Sequence, residues 1–222
     1  MSGKRREILT TAETYHVFNR SVGKEEIFIN TRELERALVL LEYYRFPQKL
    51  RYSFFKRLQK EIKQIYVSEY KSRDPSVEIY AFALMPNHFH LLIKQTAELG
   101  IEKFISNFQN SYAKYYNTKF QRNGSLFQKP FKAKRITSDE EFLHVSRYIH
   151  LNPVTSFLIR YDDLKVYPWT SYRYYIGKEK NDIVNTGIIG NLIGAGQKYS
   201  RFVANQVDYQ RKLHLIKRLT FE

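Results

Sequence analysis

The 222-residue chain contains no cysteine. Disulfides, thiolate metal sites and a cysteine nucleophile are thereby excluded, and the absence fits a reducing compartment. Tryptophan occurs once, and glycine (9) and proline (6) are sparse. That composition is neither collagen-like nor that of a Pro/Gly-rich disordered chain. No apolar run is long enough for a membrane span, and the basic N-terminus is not followed by the apolar stretch of a signal peptide. A cytoplasmic location with no membrane partner is the expectation. Acid is the scarcer charge: 22 Asp and Glu stand against 37 Lys and Arg, a formal net charge of +15. An excess of that size says little about fold and much about partners, of which a polyanion is the obvious one. A merely basic soluble protein is the bland alternative.

Aromatics are abundant: 18 Tyr and 16 Phe. Exposed rings suit nucleic acid, because phosphates take the cations and bases stack on the rings. The hydrophobic fraction of 43% is that of a globular domain with a core.

Periodicity orders the chain. Residues 15–19 alternate and predict a first strand, followed by a polar loop over 20–24. Residues 31–44 carry Leu34, Ala37, Leu38 and Leu41 at helical spacing, with Thr31 as N-cap. A Lys- and aromatic-rich helical stretch over 52–70, between Pro47 and Pro75, reads as an excursion from the core. Residues 77–85 and 88–94 are two apolar runs separated by Pro86-Asn87, which predicts an antiparallel pair. One amphipathic helix spans 99–120, and 125–129 is extended. Residues 130–136 form a strand with Lys132 and Lys134 on one face and Phe131, Ala133 and Arg135 on the other. A last core helix covers 138–152, opened by the Ser138/Glu141 capping box and closed by Pro153. This order predicts an α+β fold, a mainly antiparallel sheet with helices packed on one face. Residues 1–177 form the main domain, with a helical insertion around 48–73; 178–222 form a basic C-terminal appendage.

Two constellations carry chemistry. In Pro86-Asn87-His88-Phe89-His90, strand geometry places His88 and His90 on one face and Phe89 in the core. Two imidazoles side by side form a clamp for a divalent metal and leave positions open for substrate oxygen and water. Taken alone, such a pair is more often two surface or hydrogen-bonded histidines. In the run from Arg147 to Pro153, Tyr148 and Asn152 are i and i+4 on one helix face. A lone tyrosine is most often packing and a lone Asn152 a helix cap. His144 shares the Tyr148 face, His150 faces away and is structural, and His16 and His214 sit in no constellation.

Together the motifs resemble a family. The strand LMPNHFHLLIK resembles the HUH signature (histidine, bulky apolar residue, histidine) of single-tyrosine transposases. The later runs GSLFQKPFKAKRI, RYIHLNPV and YPWTSYRYY are similar to the REP-associated branch within the IS200-like transposase domain. The resemblance spans residues 15–177 and leaves 48–73 and the tail outside it. It implies an HUH-endonuclease core of ferredoxin-like or RRM-like type. By the resemblance, His88 and His90 bind a divalent metal (Mg²⁺ or Mn²⁺), Asn152 completes the site, and Tyr148 is the nucleophile. The implied enzyme is a DNA transposase and single-strand endonuclease. It cuts and rejoins single-stranded DNA through a 5′-phosphotyrosine, and no phosphate-binding loop of the G-x-x-x-x-G-K-S/T kind is present or needed. DNA, single-stranded and hairpin, is the implied partner, and both monomer and homodimer fit. Lys129, Lys132, Lys134 and Arg135 are the candidate DNA-backbone contacts. The competing reading is a non-catalytic or domesticated nucleic-acid-binding protein with the same fold. That reading anticipates loss of a histidine or of the tyrosine, and both motifs are intact.

Overall fold

The computed structural model describes residues 7–179 and 182–211. His214 lies outside the described residues, as does the end of the basic tail. A four-stranded sheet has the order β2-β3-β1-β4, with β1 at Thr14–Arg20, β2 at Val77–Met85, β3 at His88–Gln95 and β4 at Lys132–Ile136. Its neighbours all pair antiparallel. The class is the expected α+β.

The helices, however, divide between the two faces instead of sharing one. Helices α1 (Thr31–Tyr44) and α4 (Gly100–Lys119) pack together, and α4 meets the Phe89 face of the sheet through a Phe89–Phe108 contact at 5.3 Å. Helix α5 (Asp139–Thr155) lies on the opposite face, over β2 and β3, where Phe142 stands edge-on to Tyr80 at 5.1 Å. The physical reason is visible in β2. Its run VEIYAFALM is apolar on both faces and buried almost throughout, and a strand covered on both sides needs no alternation.

The outer edge of β2 is also covered. Leu84 N donates to Trp169 O at 2.9 Å, Ser171 N to Phe82 O at 3.1 Å, and Asn185 N to Ile79 O at 2.8 Å. The YPWTSY segment thus closes an edge that would otherwise offer unpaired backbone groups. The other edge, β4, stays open and carries its lysines outward.

Several boundaries differ from the sequence reading. Asn30, not Thr31, caps α1, accepting from Arg32 N and Glu33 N. The stretch 52–70 is two helices, α2 (Tyr52–Phe55) and α3 (Lys60–Lys71). They are docked on α1 by a ring cluster in which Tyr43 meets Phe55 at 4.9 Å and Tyr70 at 5.7 Å. Pro153 does not end α5, which runs on to Thr155. A proline so near the C-terminus costs one hydrogen bond, while burial of Val154 and Thr155 holds the final turn. Ser138 does cap α5 by accepting from Glu141 N, but the Glu141 carboxylate reaches back to Thr137 N rather than to its own cap residue.

After α6 (Tyr172–Tyr175), α7 (Gly187–Ile193) and α8 (Gln197–Ala204) follow, and α8 packs on α5. The link is His150, fully buried, whose Nδ1 lies 2.6 Å from the Tyr199 hydroxyl and whose Nε2 lies 2.6 Å from Ser171 Oγ. Tyr172, Tyr175 and Tyr199 ring it. Among the described residues no helix is long and apolar enough to cross a membrane.

Burial pushes the His150 pKa from 6.5 down to about 3. Between these values the unfolded chain binds a proton that the folded one refuses. This contribution is therefore complete above pH 6.5 and is lost at up to roughly 1.4 kcal/mol per pH unit as pH falls. His150→Gln should flatten the acid limb of stability against pH, and lower stability at pH 8 by about 1–3 kcal/mol through its imperfect replacement of two buried hydrogen bonds. Denaturant unfolding from pH 8 to 4 checks this. Parallel curves for the two proteins would contradict it.

Candidate active site on the open sheet face

The site begins with strand alternation. On β3, Phe89 and Leu91 enter the core while His88 and His90 point to the other face. The β1 register sets Phe18 opposite His90 and Arg20 opposite His88. The β4 register sets Lys132 opposite Phe18 and Lys134 opposite His16. One sheet face thus collects His16, Phe18, Arg20, His88, His90, Lys132 and Lys134. Because α5 rests on β2 and β3, the β1–β4 half of this face is left open to solvent, with Arg20, Lys132 and Lys134 exposed.

Tyr148 comes down from α5 onto the histidines. Its ring stands edge-on to His90 at 5.6 Å and to His16 at 5.9 Å between centroids. His88 and His90 lie 5.1 Å apart. Asn152, one turn on, donates from Nδ2 to Tyr148 O at 2.9 Å, so its Oδ1 remains the acceptor end of that amide. Four of the candidate residues, His88, His90, Tyr148 and Asn152, are therefore brought together.

The histidines are held by their Nδ1 atoms. His88 Nδ1 lies 2.6 Å from Asn87 Oδ1, and His90 Nδ1 lies 2.9 Å from His16 Nε2. Fixing one ring nitrogen sets the tautomer and aims the other, the usual second layer around a metal-binding imidazole. Within this pair one ring must donate and the other accept, so both can be neutral. Burial first, then the charge of Lys134, pushes His16 down to about 4. Burial, with His16, His88 and Arg20 nearby, holds His90 well below the ordinary imidazole range.

Tyr148 keeps 36% of its surface exposed, yet burial of the remainder against the sheet raises its pKa; the Asn152 amide and the Arg20 charge pull it the other way. Among the described residues no group of three or more His, Cys, Asp and Glu is arranged to hold a metal. Any cation here would depend on the two histidines and a neutral oxygen such as that of Asn152.

The basic candidates separate. Lys132 reaches over the Phe18 ring at 6.0 Å. Lys134 is exposed on the site face but pairs with Glu141 at 2.6 Å. Arg135 points to the opposite face, as alternation requires, and is held by Glu13. Lys129 is exposed before the cis bond to Pro130. His144 is turned toward Arg147, 2.8 Å from its guanidinium.

The sequence reading missed His16 and placed it in no constellation; the structure puts it at the centre. Arg20 was missed too, as the start of a loop. The signal was present in part, since His16, Phe18 and Arg20 alternate on one strand face. Which strand they would pair with was not.

An antiparallel sheet here presents two histidines beneath a helix-borne tyrosine. Residues 44–152 match the family described as transposase IS200-like. It includes β2, β3, α4, β4 and α5 as far as Asn152; His16 lies before it. Among solved structures, the fold is similar to one described as a REP-associated tyrosine transposase bound to a REP hairpin, with 12% identity and a TM-score of 0.54. That likeness covers 84% of this chain and 96% of the other. A looser likeness, TM-score 0.36 at 14% identity, is to a transposase from Deinococcus radiodurans R1, covering 67% of this chain and 95% of that one. At such identities the likeness is one of fold. A search of the curated proteins finds no match.

His16→Ala would strand the buried His90 Nδ1. The expected loss of stability is about 1–3 kcal/mol, whereas His88→Ala, at a half-exposed position, should cost less than about 1 kcal/mol. Denaturant unfolding of both variants checks the order. Equal losses would mean that the His16–His90 bond contributes nothing.

Proposed function

We propose that this protein is a DNA strand transferase of the single-tyrosine kind, with Tyr148 as nucleophile. The observation that carries the reading is the edge-on approach of Tyr148 to His90 on an open, basic sheet face. Tyr148 keeps 36% of its surface exposed on that face. In the first step a new bond forms from the Tyr148 oxygen to phosphorus, and the bond from phosphorus to the 3′ oxygen breaks. The products are a 5′-phosphotyrosine and a free 3′-hydroxyl, and the phenolic proton passes to water or to the departing oxygen. Attack by a 3′-hydroxyl reverses the step and rejoins a strand. The phosphoester bond is conserved throughout, so no nucleotide hydrolysis is required.

A tyrosine whose pKa lies above its ordinary value of 10 is a poor nucleophile at neutral pH without help. The chain supplies part of that help: the Arg20 charge and the Asn152 amide both favour the phenolate. The donor set also fits a divalent ion. His88 and His90, 5.1 Å apart and each hydrogen-bonded through Nδ1, would hold it together with the Asn152 amide, whose Nδ2 is taken by Tyr148 O. Such an ion, Mg²⁺ or Mn²⁺, would supply Lewis-acid polarisation of the scissile phosphate. Two imidazoles and one amide would leave positions for phosphate oxygen and water. Lys132, and Lys134 in competition with Glu141, are placed to track the backbone of the strand leading to Tyr148. The partner is DNA presented as a single strand, since a duplex phosphate is not free to enter beneath α5.

The test incubates the protein with end-labelled single-stranded DNA from the flanks of its own gene and Mg²⁺. A covalent adduct should form and should move with Tyr148 on peptide mapping. Tyr148→Phe should abolish the adduct while leaving DNA affinity within about threefold, less than 1 kcal/mol, because only the hydroxyl is removed. An adduct formed by the variant at the normal rate would refute Tyr148. Binding without any adduct in the unaltered protein would favour the binding-only reading.

A further inference from the structure

On the side of the sheet away from Tyr148, α1, α4 and the segment carrying α2 enclose a cleft of about 790 Å³. Its walls carry Arg32, Arg36, Arg51, Lys56, Arg57 and Lys114. None of these six pairs with a carboxylate among the described residues. A seventh cation, Lys119, is neutralised by the buried Glu33. Burial alone would raise that carboxylate's pKa, but hydrogen bonds from Lys119 and Tyr115 outweigh it and keep the group ionised.

Arg36 is the organising residue. Its guanidinium lies 5.0 Å from the Tyr52 ring and 4.7 Å from the Tyr115 ring, so two aromatic contacts fix it from two helices. A guanidinium held over rings can still offer N–H groups for bidentate contact with a phosphate. Tyr44, Tyr52 and Tyr115 all line the same cleft. Six cations around one concavity repel one another, and no carboxylate among the described residues pairs with any of them. Solvent counterions screen that repulsion, and a polyanion would displace them. Concavity, adjacent rings and hydroxyl or amide donors together match a nucleotide chain better than a bare phosphate.

We infer that this cleft binds a second stretch of single-stranded nucleic acid, on the opposite face of the sheet from the proposed cutting site. Arg51, Tyr52, Lys56 and Arg57 come from the helical segment 48–73, which thereby gains a role as one wall of a binding site. The inference rests on the DNA-processing reading only for its choice of nucleic acid as the polyanion. The cleft engages phosphates and base faces without reading base edges, so it holds DNA in place without selecting sequence.

The test uses the full chain and a short oligothymidylate carrying 5-iodouracil. Ultraviolet crosslinking should mark peptides bearing Tyr44, Tyr52 or Tyr115, in addition to any from β4 or α5. Lys56 and Lys114 are exposed, so Lys56→Ser/Lys114→Ser should fold normally. It should make the log–log salt slope of binding shallower by roughly 1.4, about 0.7 for each lost phosphate contact on a single strand. A charge-matched control, Lys165→Ser/Lys198→Ser, exposed and outside both sites, should leave the slope unchanged. Arg36→Gln tests the stacked guanidinium and should weaken binding at least tenfold. Crosslinks confined to β4 and α5, or equal slopes for the cleft variant and its control, would overturn the inference. So would loss of the cleft crosslinks to a nucleoside triphosphate at concentrations that leave oligomer affinity intact, which would mark a free-nucleotide pocket. Adduct formation at Tyr148 is scored on the same samples. Its failure alone sinks the strand-transfer reading and spares the cleft; missing cleft crosslinks with the adduct intact sink the cleft alone.

Discussion

The pairing of β1 with β3 is the constraint on which the site depends. It sets Phe18 against His90 and brings His16 within hydrogen-bonding distance of His90 Nδ1. A slip of one residue would turn every side chain of β3 over, sending Phe89 to solvent and the histidines into the Phe108 layer. The slip is opposed from both sides. Phe89 and Leu91 are fully buried under α4, and β1 is buried at Tyr15 and Val17 on the same face. The hydrophobic layer on one side of the sheet thus fixes the position of polar groups on the other.

That polar face is built at an energetic cost that the surroundings offset. His90 is nearly inaccessible and His16 half-buried. An unpaired imidazole there would lose a hydrogen bond to water without a replacement. Pairing the two rings satisfies His90 Nδ1 and His16 Nε2. The same logic appears on the far side of α5, where His150 spans Tyr199 and Ser171. Along α5, Tyr148 thus faces the open site and His150 the closed packing against α8 and the YPWTSY segment. Those two contacts define the orientation of the tyrosine helix, and the C-terminal residues after Gly177 help through Tyr199.

The basic surplus is distributed, not concentrated at the histidines. Part lies on β4 beside the site, and part lines the cleft between α1, α2 and α4. The sheet separates the two regions, with the aromatic core around Phe89, Phe108 and Tyr112 between them. Lys134 and Arg135, adjacent in sequence, show how local geometry partitions charge: one faces the site, and the other is tied to Glu13 on the opposite face.

Local sequence determined the strands, the long helices, the two-residue turn between β2 and β3, and the common face of His88 and His90. Strand alternation and helical spacing are properties of the backbone, readable without knowing any neighbour. It also marked Tyr148 and Asn152 as one helical turn apart. What only the tertiary structure decided was the meeting of these pieces. His16 became a partner of His90 because two strands far apart in sequence pair in one register. The helices split between both faces because β2 is apolar on each, a pattern equally compatible with other arrangements until the helices are placed. Pro153 stayed within a helix because burial outweighed its lost hydrogen bond. The stretch 48–73, an excursion by composition, was docked by rings from α1 and became the wall of a cleft. Pairing partners, packing faces and cavities are relations between distant residues, and the periodicity of a single chain does not encode them.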